Sequence, residues 1–151
     1  GIATREIYIH TGVKNETIKN DPLPFDLIKN DSKTRKGEYL FDDKDRTKCF
    51  NLLSHHVDGK GITIGKGPFI TVSAITSGRK AALELYTTFS PLMEAMEGAA
   101  SSHVAKLYGI PFVEIRSASN FVGERKKENW NLALSSQMVS KSCATIITHW
   151  S

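Results

Sequence analysis

In its second half the chain alternates between short apolar runs typical of strands and longer segments with helical periodicity. A strand is predicted over 68–73, a helix around 81–86, a helix over 97–108, a buried strand over 111–117 and a helix from 126 to the end. Such alternation predicts an α/β fold with a parallel or mixed sheet covered by helices. Successive strands of this kind end along one edge of the sheet, where small ligands usually bind.

The first half carries weaker signals. A β-branched run over 5–13 predicts a strand, and an apolar pair four residues apart predicts a helix over 43–56 that Asp43 caps. A further strand is predicted over 61–65. With 151 residues, 40% of them hydrophobic, the chain is long enough for one packed domain.

The net charge of +4 is spread among acidic residues and does not form a basic face. The densest basic run, 33–36, is flanked by Asp31 and Glu38, which favours a solvated loop over a phosphate-binding patch. We therefore expect no nucleic-acid partner. No apolar run is long enough to span a bilayer, so no membrane association is expected either.

The two cysteines, Cys49 and Cys143, match no metal-binding or redox spacing. We expect both to be buried as small apolar side chains in a reducing compartment, which predicts a cytoplasmic protein. The five histidines show no metal-ligand spacing, and His103 falls among the apolar positions of its helix, which favours a core histidine. We therefore expect no metal.

Glu97 follows Met96 at the start of a predicted helix and precedes the small residues Gly98, Ala99 and Ala100. A carboxylate is favoured there by the helix dipole and the unpaired backbone N–H groups. Small residues let the helix approach a sheet or ligand closely. A carboxylate in such a cleft accepts hydrogen bonds from vicinal hydroxyls, as on ribose, although a simple first-turn charge is the alternative.

The same helix has Ala99, Ala100, Val104 and Leu107 on one predicted apolar face and ends at Gly109. The last predicted helix carries an apolar stripe. Its members are Trp130, Leu134, Met138, Ile146 and Ile147.

Asn120 follows a predicted strand and the serines Ser117 and Ser119. An ordinary turn asparagine is one interpretation. The other uses the amide as a donor and an acceptor, which suits N7 and the 6-oxo group of a hypoxanthine-type base. An aspartate would suit an adenine-type base better.

Glu114 and Arg116 lie two residues apart on the predicted strand and therefore on one face. A structural ion pair is the favoured interpretation, and an Arg116 that orients a ligand-binding group is the alternative. The sequence contains no G-x-S-x-G elbow, Walker loop or G-x-G-x-x-G motif.

Residues from about 68 to 134 resemble the C-terminal part of the nucleoside phosphorylase and nucleosidase superfamily. The motifs that carry the resemblance are Val72-Ser73-Ala74-Ile75-Thr76, Met93-Glu94-Ala95-Met96-Glu97-Gly98-Ala99-Ala100, Tyr108-Gly109-Ile110-Pro111-Phe112 and Ile115-Arg116-Ser117-Ala118-Ser119-Asn120-Phe121-Val122. Within the superfamily, Ser119 to Arg125 with Glu128-Asn129-Trp130 most resembles the futalosine hydrolases.

The resemblance implies a three-layer fold with a mixed sheet between helices, in which residues 1–151 form the C-terminal portion of one nucleosidase-like domain. It implies substrate contacts from Met96 and Glu97 to the ribose, from Ile75 and Thr76 to the base, and from Ser119 and Asn120 to the purine, with Glu97 and Asn120 as the catalytic residues. It implies no metal or other cofactor, and a homo-oligomer.

The implied activity is hydrolysis of the N-glycosidic bond of futalosine with release of hypoxanthine, a step of menaquinone biosynthesis. The alternatives are a methylthioadenosine or adenosylhomocysteine nucleosidase, a purine nucleoside phosphorylase, or a non-catalytic nucleoside-binding fragment. Members of the superfamily carry an earlier strand, a glycine-rich turn and a water-activating glutamate that are not recognisable in this sequence. We therefore expect the N-terminal part of the domain to be missing, with a chain that is inactive by itself as one alternative.

Overall fold

The computed structural model describes residues 1–56 and 62–150. Within them lies a four-stranded sheet whose members are β1 (Ile2–Tyr8), β2 (Glu38–Leu40), β3 (Lys66–Thr71) and β4 (Met93–Ala95). The strand order is β2-β1-β3-β4, with β1, β3 and β4 parallel and β2 antiparallel to β1. The predicted mixed sheet is therefore confirmed, and β3 and β4 end at the same edge.

Helices cover the sheet. They are α1 (Asp43–His56), α2 (Arg79–Phe89), α3 (Gly98–Leu107) and α4 (Leu132–His149), with short 3-10 turns at Ser32–Lys36 and Lys127–Asn129. None of the helices in the described residues is both long and apolar enough to cross a membrane.

The two faces of the sheet differ in polarity. One face buries Ile7 and Ile70 against Leu85 and Phe89 of α2. Because successive residues of a strand point to opposite faces, Glu6 and Thr71 point the other way, toward α3. Phe69 shares this second face, which is nevertheless the more polar of the two because it buries Glu6 and Thr71, and which lies behind the start of α3.

A second apolar cluster joins the start of β1 to the terminal helix. Ile2 packs with Cys49 and Leu53 of α1, and Ile146 and Trp150 lie against them. The cluster holds α4 against α1 and so connects the end of the chain to its first strand.

The predicted buried strand over 111–117 is wrong as a regular strand. Only Ile115 forms a bridge, antiparallel to Ile2, with hydrogen bonds from the Ala3 N–H to the Glu114 carbonyl and from the Arg116 N–H to the Gly1 carbonyl. The rest of that edge of β1 is paired with β2, so the segment has only the first residues of β1 as a partner. It is nevertheless extended and anchored there.

Other expectations in the first half are partly corrected. β1 begins at Ile2 and ends at Tyr8, earlier at both ends than the predicted 5–13. Of the predicted strand over 61–65, residue 61 lies outside the described residues, and 62–65 form no strand. The helix over 43–56 is confirmed, but Asp42 is the residue whose carboxylate accepts from the Lys44 N–H at the helix start. Asp43 lies inside the helix and pairs with Arg46.

The predicted buried face of α3 is also wrong in part. Ala99 is buried, but Val104 and Leu107 are 52% and 55% exposed, and the buried set is Gly98, Ala99, Ser102 and Ala105. The helix packs on the polar face of the sheet, where small residues allow close approach. Gly109 ends the helix as predicted: its φ is +64°, and the next N–H donates back to the Ala105 carbonyl.

The last helix begins at Leu132, after Asn131, whose side chain accepts from the Leu134 N–H. Of its predicted stripe, Ile146 packs inward, whereas Leu134 and Ile147 are exposed. Cys143 is also exposed, contrary to the expectation that both cysteines are buried.

Candidate functional site

A cleft of about 1070 Å³ opens at the edge where β3 and β4 end. Its walls come from the segments after β3 and β4 and from the segment that follows the bridge at Ile115. All six side chains predicted to contact substrate line this one cleft. They are Ile75, Thr76, Met96, Glu97, Ser119 and Asn120.

Glu97 lies two residues past β4 and immediately before α3. Glu97 occupies the N-cap position, but its carboxylate accepts no capping hydrogen bond from the first turn of α3. Instead, Glu97 Oε2 accepts from Arg116 Nη1 at 3.2 Å, and 71% of the side chain is exposed to the cleft. The carboxylate is therefore anchored on one side and accessible on the other.

Arg116 connects two carboxylates. Its Nε donates to Glu114 Oε1 at 2.6 Å, and its Nη1 donates to Glu97. The predicted Glu114–Arg116 ion pair is confirmed, and Arg116 additionally orients Glu97, which was the less favoured alternative. The planar guanidinium has donors in a rigid fork, so one arginine serves both partners at once.

Behind Arg116 and Glu114 lies the buried carboxyl group of Glu6, which the sequence analysis did not predict as part of the site. Glu6 is 0% exposed, and its Oε1 accepts from Thr71 Oγ1 at 2.6 Å. Thr71 Oγ1 in turn accepts from the Ala99 N–H at 2.8 Å, which joins the sheet to the first turn of α3. The sequence feature that could have indicated it is a glutamate within a β-branched run that is predicted to be a strand.

The pKa of Glu6 is raised to about 8, mostly by burial and in addition by the nearby Glu114 carboxylate, while Thr71 and Arg116 act in the lowering direction. The start of α3 closes over both carboxyl groups at Gly98. A methyl group on Gly98 would lie 2.7 Å from Glu6 Oε2 and 2.7 Å from Glu114 Oε1. Only glycine leaves room for the two groups here.

The loop after β3 is held by a second carboxylate of the cleft. Glu94 of β4 accepts from the Thr76 N–H at 3.0 Å and from Thr76 Oγ1 at 2.5 Å. Thr76 is buried, and the neighbouring Ile75 is 53% exposed. Glu94 thus fixes Thr76 and presents Ile75 as an apolar surface on the wall of the cleft.

Asn120 lies on the opposite segment of the cleft wall. Its Oδ1 accepts from Ser119 Oγ at 2.6 Å, and its Nδ2 donates to the Phe121 carbonyl at 3.0 Å. An amide oxygen accepts two hydrogen bonds and an amide nitrogen donates two, so one of each is left for a ligand. Phe121, next along, is 91% exposed.

The segment that carries Asn120 is braced at several points. Ser77 and Gly123 form a parallel bridge, which ties it to the loop after β3. The Glu124 carboxylate accepts from the Lys126 N–H and from Asn129, and these hydrogen bonds lower the pKa of Glu124. Trp130 Nε1 donates to the Glu124 carbonyl at 3.1 Å. These contacts fix the position of Asn120, although Asn120 itself lies outside the helices and strands.

His103 lies away from the cleft, on α3. Its Nδ1 lies 3.0 Å from the Tyr39 hydroxyl, and the two rings meet edge to face. It is therefore a partly buried, hydrogen-bonded histidine, as predicted. Across residues 1–56 and 62–150 no group of three or more His, Cys, Asp and Glu side chains is arranged to hold a metal ion.

The basic run over 33–36 forms a 3-10 turn capped by Asp31, and Arg35 pairs with Asp26. The interpretation as a solvated loop agrees with this arrangement, because all of its basic side chains lie on an exposed turn.

Comparison with known proteins gives a family match over almost the whole chain. The family model of the phosphorylase superfamily matches residues 2–149. No curated protein sequence matches the chain.

Solved structures of similar fold include three nucleosidases. Futalosine hydrolase of Helicobacter pylori strain 26695 superposes with a TM-score of 0.74 at 16% identity, over 97% of this chain and 58% of that one. A 5'-methylthioadenosine/S-adenosylhomocysteine nucleosidase of H. pylori, in complex with butyl-thio-DADMe-Immucillin-A, gives 0.69 at 15%, over 97% and 57%. An S-adenosylhomocysteine nucleosidase of Streptococcus pyogenes, in complex with 5-methylthiotubericidin, gives 0.67 at 18%, over 97% and 57%. The chain thus spans less than three fifths of the length of these structures.

Proposed function

This chain belongs to the phosphorylase superfamily, and from that membership we propose that it is the C-terminal portion of a nucleosidase that hydrolyses the N-glycosidic bond of futalosine and releases hypoxanthine. The observation that carries the proposal is the common cleft. A carboxylate, Glu97, and an amide, Asn120, reach it from separate segments of the chain, at the sheet edge where ligands of α/β folds bind.

Glu97 is suited to the ribose. One of its oxygens is held by Arg116, and each carboxylate oxygen accepts more than one hydrogen bond, so acceptor capacity remains for two vicinal hydroxyls. Met96 lies beside it and is 45% exposed, which provides an apolar surface for the sugar ring. The Arg116 guanidinium balances the negative charge of the carboxylate, and substrate hydroxyls would donate to its remaining acceptor sites.

Asn120 is suited to a 6-oxo purine. The hydroxyl of Ser119 donates to Oδ1, which fixes the oxygen and leaves a second N–H of the amide for the 6-oxo group of the base. The remaining lone pair of Oδ1 accepts from a protonated N7. Ile75 offers the apolar contact that the face of a purine needs.

The reaction breaks the bond between the anomeric carbon and N9 of the purine. The bonding electron pair leaves with the base, positive charge develops at the sugar, and water then supplies a hydroxyl to the anomeric carbon and a proton to the base. Glu97 stabilises the positive charge, and Asn120 stabilises the departing base. Preorganised groups of this kind each contribute about 2.7–4 kcal/mol to comparable transition states.

The competing function is hydrolysis of methylthioadenosine or adenosylhomocysteine, and two of the similar structures are nucleosidases named for these substrates. An adenine base presents a 6-amino group, which donates, so the free N–H of Asn120 would face another donor. The amide therefore favours hypoxanthine over adenine.

The test is incubation of the chain with futalosine, inosine and methylthioadenosine, with and without phosphate, followed by separation of the released bases. We expect hypoxanthine from futalosine in the absence of phosphate, and none with the Glu97→Ala variant. A strict phosphate requirement would identify a phosphorylase. Faster adenine release would identify an adenine-specific enzyme, and binding without turnover would identify a non-catalytic module.

A further inference from the structure

We propose that Glu6 is a positioning residue: it shares a single proton with Glu114 behind the cleft, and this proton leaves Arg116 free to hold Glu97. The role of Glu97 rests on the proposed function, whereas the shared proton and its effect on Arg116 do not. Glu6 and Glu114 are buried together, and one carboxyl oxygen of each has no hydrogen-bond partner among the described residues.

The hydrogen bonding of the pair is incomplete if both groups are ionised. Glu6 Oε2 and Glu114 Oε2 have no hydrogen-bond partner among the described residues, and both atoms are shielded from solvent. An ionised carboxylate only accepts, so two of them cannot satisfy each other. One proton between them converts Glu6 into a donor toward Glu114, whose carboxyl group is its neighbour: Glu6 Oε2 and Glu114 Oε1 both lie 2.7 Å from the place of a methyl group on Gly98. The buried pair is then satisfied.

The other oxygens already have their donors. Thr71 Oγ1 donates to Glu6 Oε1, and Arg116 Nε donates to Glu114 Oε1. Gly98 covers both groups so closely that a methyl group there would lie 2.7 Å from Glu6 Oε2 and from Glu114 Oε1, and both side chains are buried. The proton therefore has a defined place between the two carboxyl groups.

The charge balance leads to the same assignment. The groups that face this pair come from four elements: Tyr39 of β2 beside Glu6 in register, Thr71 of β3, Glu97 at the start of α3, and Arg116. Burial raises the pKa of the Tyr39 hydroxyl, so it stays neutral. With one guanidinium for three carboxyl groups, a proton on Glu6 reduces the net negative charge of the cluster from −2 to −1.

Loss of that proton changes the partner of Arg116. A second buried negative charge beside Glu114 attracts the guanidinium inward, since buried charges interact more strongly than exposed ones. The bond given up is the longer one, to Glu97 at 3.2 Å, whose carboxylate lies in the open cleft. The pKa of Glu6, raised to about 8 by burial, places this change in the mildly alkaline range.

The experiment follows the Nε–Hε NMR signal of Arg116 in the ¹⁵N-labelled chain from about pH 6.5 to about pH 9.5. The signal is assigned by its absence from Arg116→Lys. We expect an inflection near the pKa of Glu6 in the wild type and a constant signal in Glu6→Gln, whose amide donates to Glu114 without titrating. A constant wild-type signal, or any inflection in this range in Glu6→Gln, overturns the proposal.

A second measurement uses only the wild-type chain, so it does not depend on whether a variant folds. The infrared spectrum of the wild-type chain should show the carbonyl band of a protonated carboxylic acid at about pH 6.5 that disappears by about pH 9.5. Absence of the band at the lower pH overturns the shared proton. Neither measurement uses a substrate, so a chain that fails to hydrolyse futalosine refutes the proposed function alone.

If futalosine is hydrolysed, the protonation state of Glu6 should also determine the pH dependence of kcat/KM. Between about pH 7 and about pH 9, kcat/KM of the wild type should fall about tenfold, in step with the NMR inflection, because the protonated fraction of Glu6 falls by that factor. The ratio for Glu6→Gln should change by less than about twofold. A purely structural Glu6 would leave both proteins with the same pH profile.

Discussion

The guanidinium of Arg116 holds the carboxylate of Glu97 at 3.2 Å while its other side is bound to Glu114 at 2.6 Å. The tighter contact is with the buried partner and the longer one is with the exposed partner. The group proposed to bind the ribose is therefore oriented from inside the protein.

Replacement of Arg116 by lysine should lower kcat/KM for futalosine by about 100-fold, as expected when a reacting group is misplaced by about 1 Å. A single ammonium group cannot replace a fork that serves two carboxylates. Steady-state kinetics measure the loss, and Arg125→Lys, outside this network, is the matched control. Equal activity of Arg116→Lys and wild type would contradict the bridging role.

Asn120→Asp should shift base preference from hypoxanthine toward adenine by about 10-fold or more, because the second N–H that serves a 6-oxo group is replaced by an acceptor for a 6-amino group. The measurement is the ratio of kcat/KM for inosine and adenosine, which share one sugar. Asn131→Asp is the control, since aspartate caps α4 as well as asparagine does. An unchanged ratio would remove Asn120 from base recognition.

Gly98→Ala should destabilise the chain by about 1–3 kcal/mol, as overpacking of a tight interior does. The new methyl group would lie 2.7 Å from both buried carboxyl groups. Urea unfolding gives the free energy of unfolding. Ala100→Ser adds an atom at an exposed position of the same helical turn and should have little effect. A Gly98→Ala variant as stable as wild type would mean that Glu6 and Glu114 can move apart without cost.

The stability of the wild type should fall, relative to Glu6→Gln, as pH rises from about 4.5 to about 8. The ordinary pKa of the Glu6 carboxyl is 4.5, and burial raises it to about 8 in the folded chain. In this window the folded chain keeps a proton that the unfolded chain has released, so the free energy of unfolding decreases by up to about 1.4 kcal/mol per pH unit.

Urea titrations of both proteins at several pH values measure this difference, and Glu16→Gln, at an exposed position, serves as the control. A difference between wild type and Glu6→Gln that is independent of pH would show that Glu6 does not carry the extra proton.

The elements most accurately predicted from the sequence are those with local signals. The helix over 43–56 follows from one apolar pair four residues apart, Cys49 and Leu53, and the end of α3 at Gly109 depends on one left-handed residue. The strand over 111–117 was wrong because strand pairing needs a free edge, and β2 already covers most of β1. The apolar pattern alone does not contain that information.

The cleft also contains residues with local sequence signals and residues whose role depends on distant partners. Glu97 and Asn120 were singled out because one precedes a predicted helix and the other follows a predicted strand, and both side chains line the cleft. Glu6 and Glu94 were missed because their importance depends on partners distant in the chain, Glu114 and Thr76. A glutamate within a strand looks the same in sequence whether it faces water or another carboxyl group.

By itself the sequence determined the class of the fold, the superfamily resemblance and the residue types available for a sugar and a base, since these follow from periodicity and short motifs. Only the tertiary structure decided that Arg116 joins Glu97 to a buried carboxyl pair, that α3 lies on a polar sheet face, and that the stripe of α4 is partly exposed. These features depend on burial and on contacts between distant residues, which set the charge of a carboxyl group and the direction in which it points.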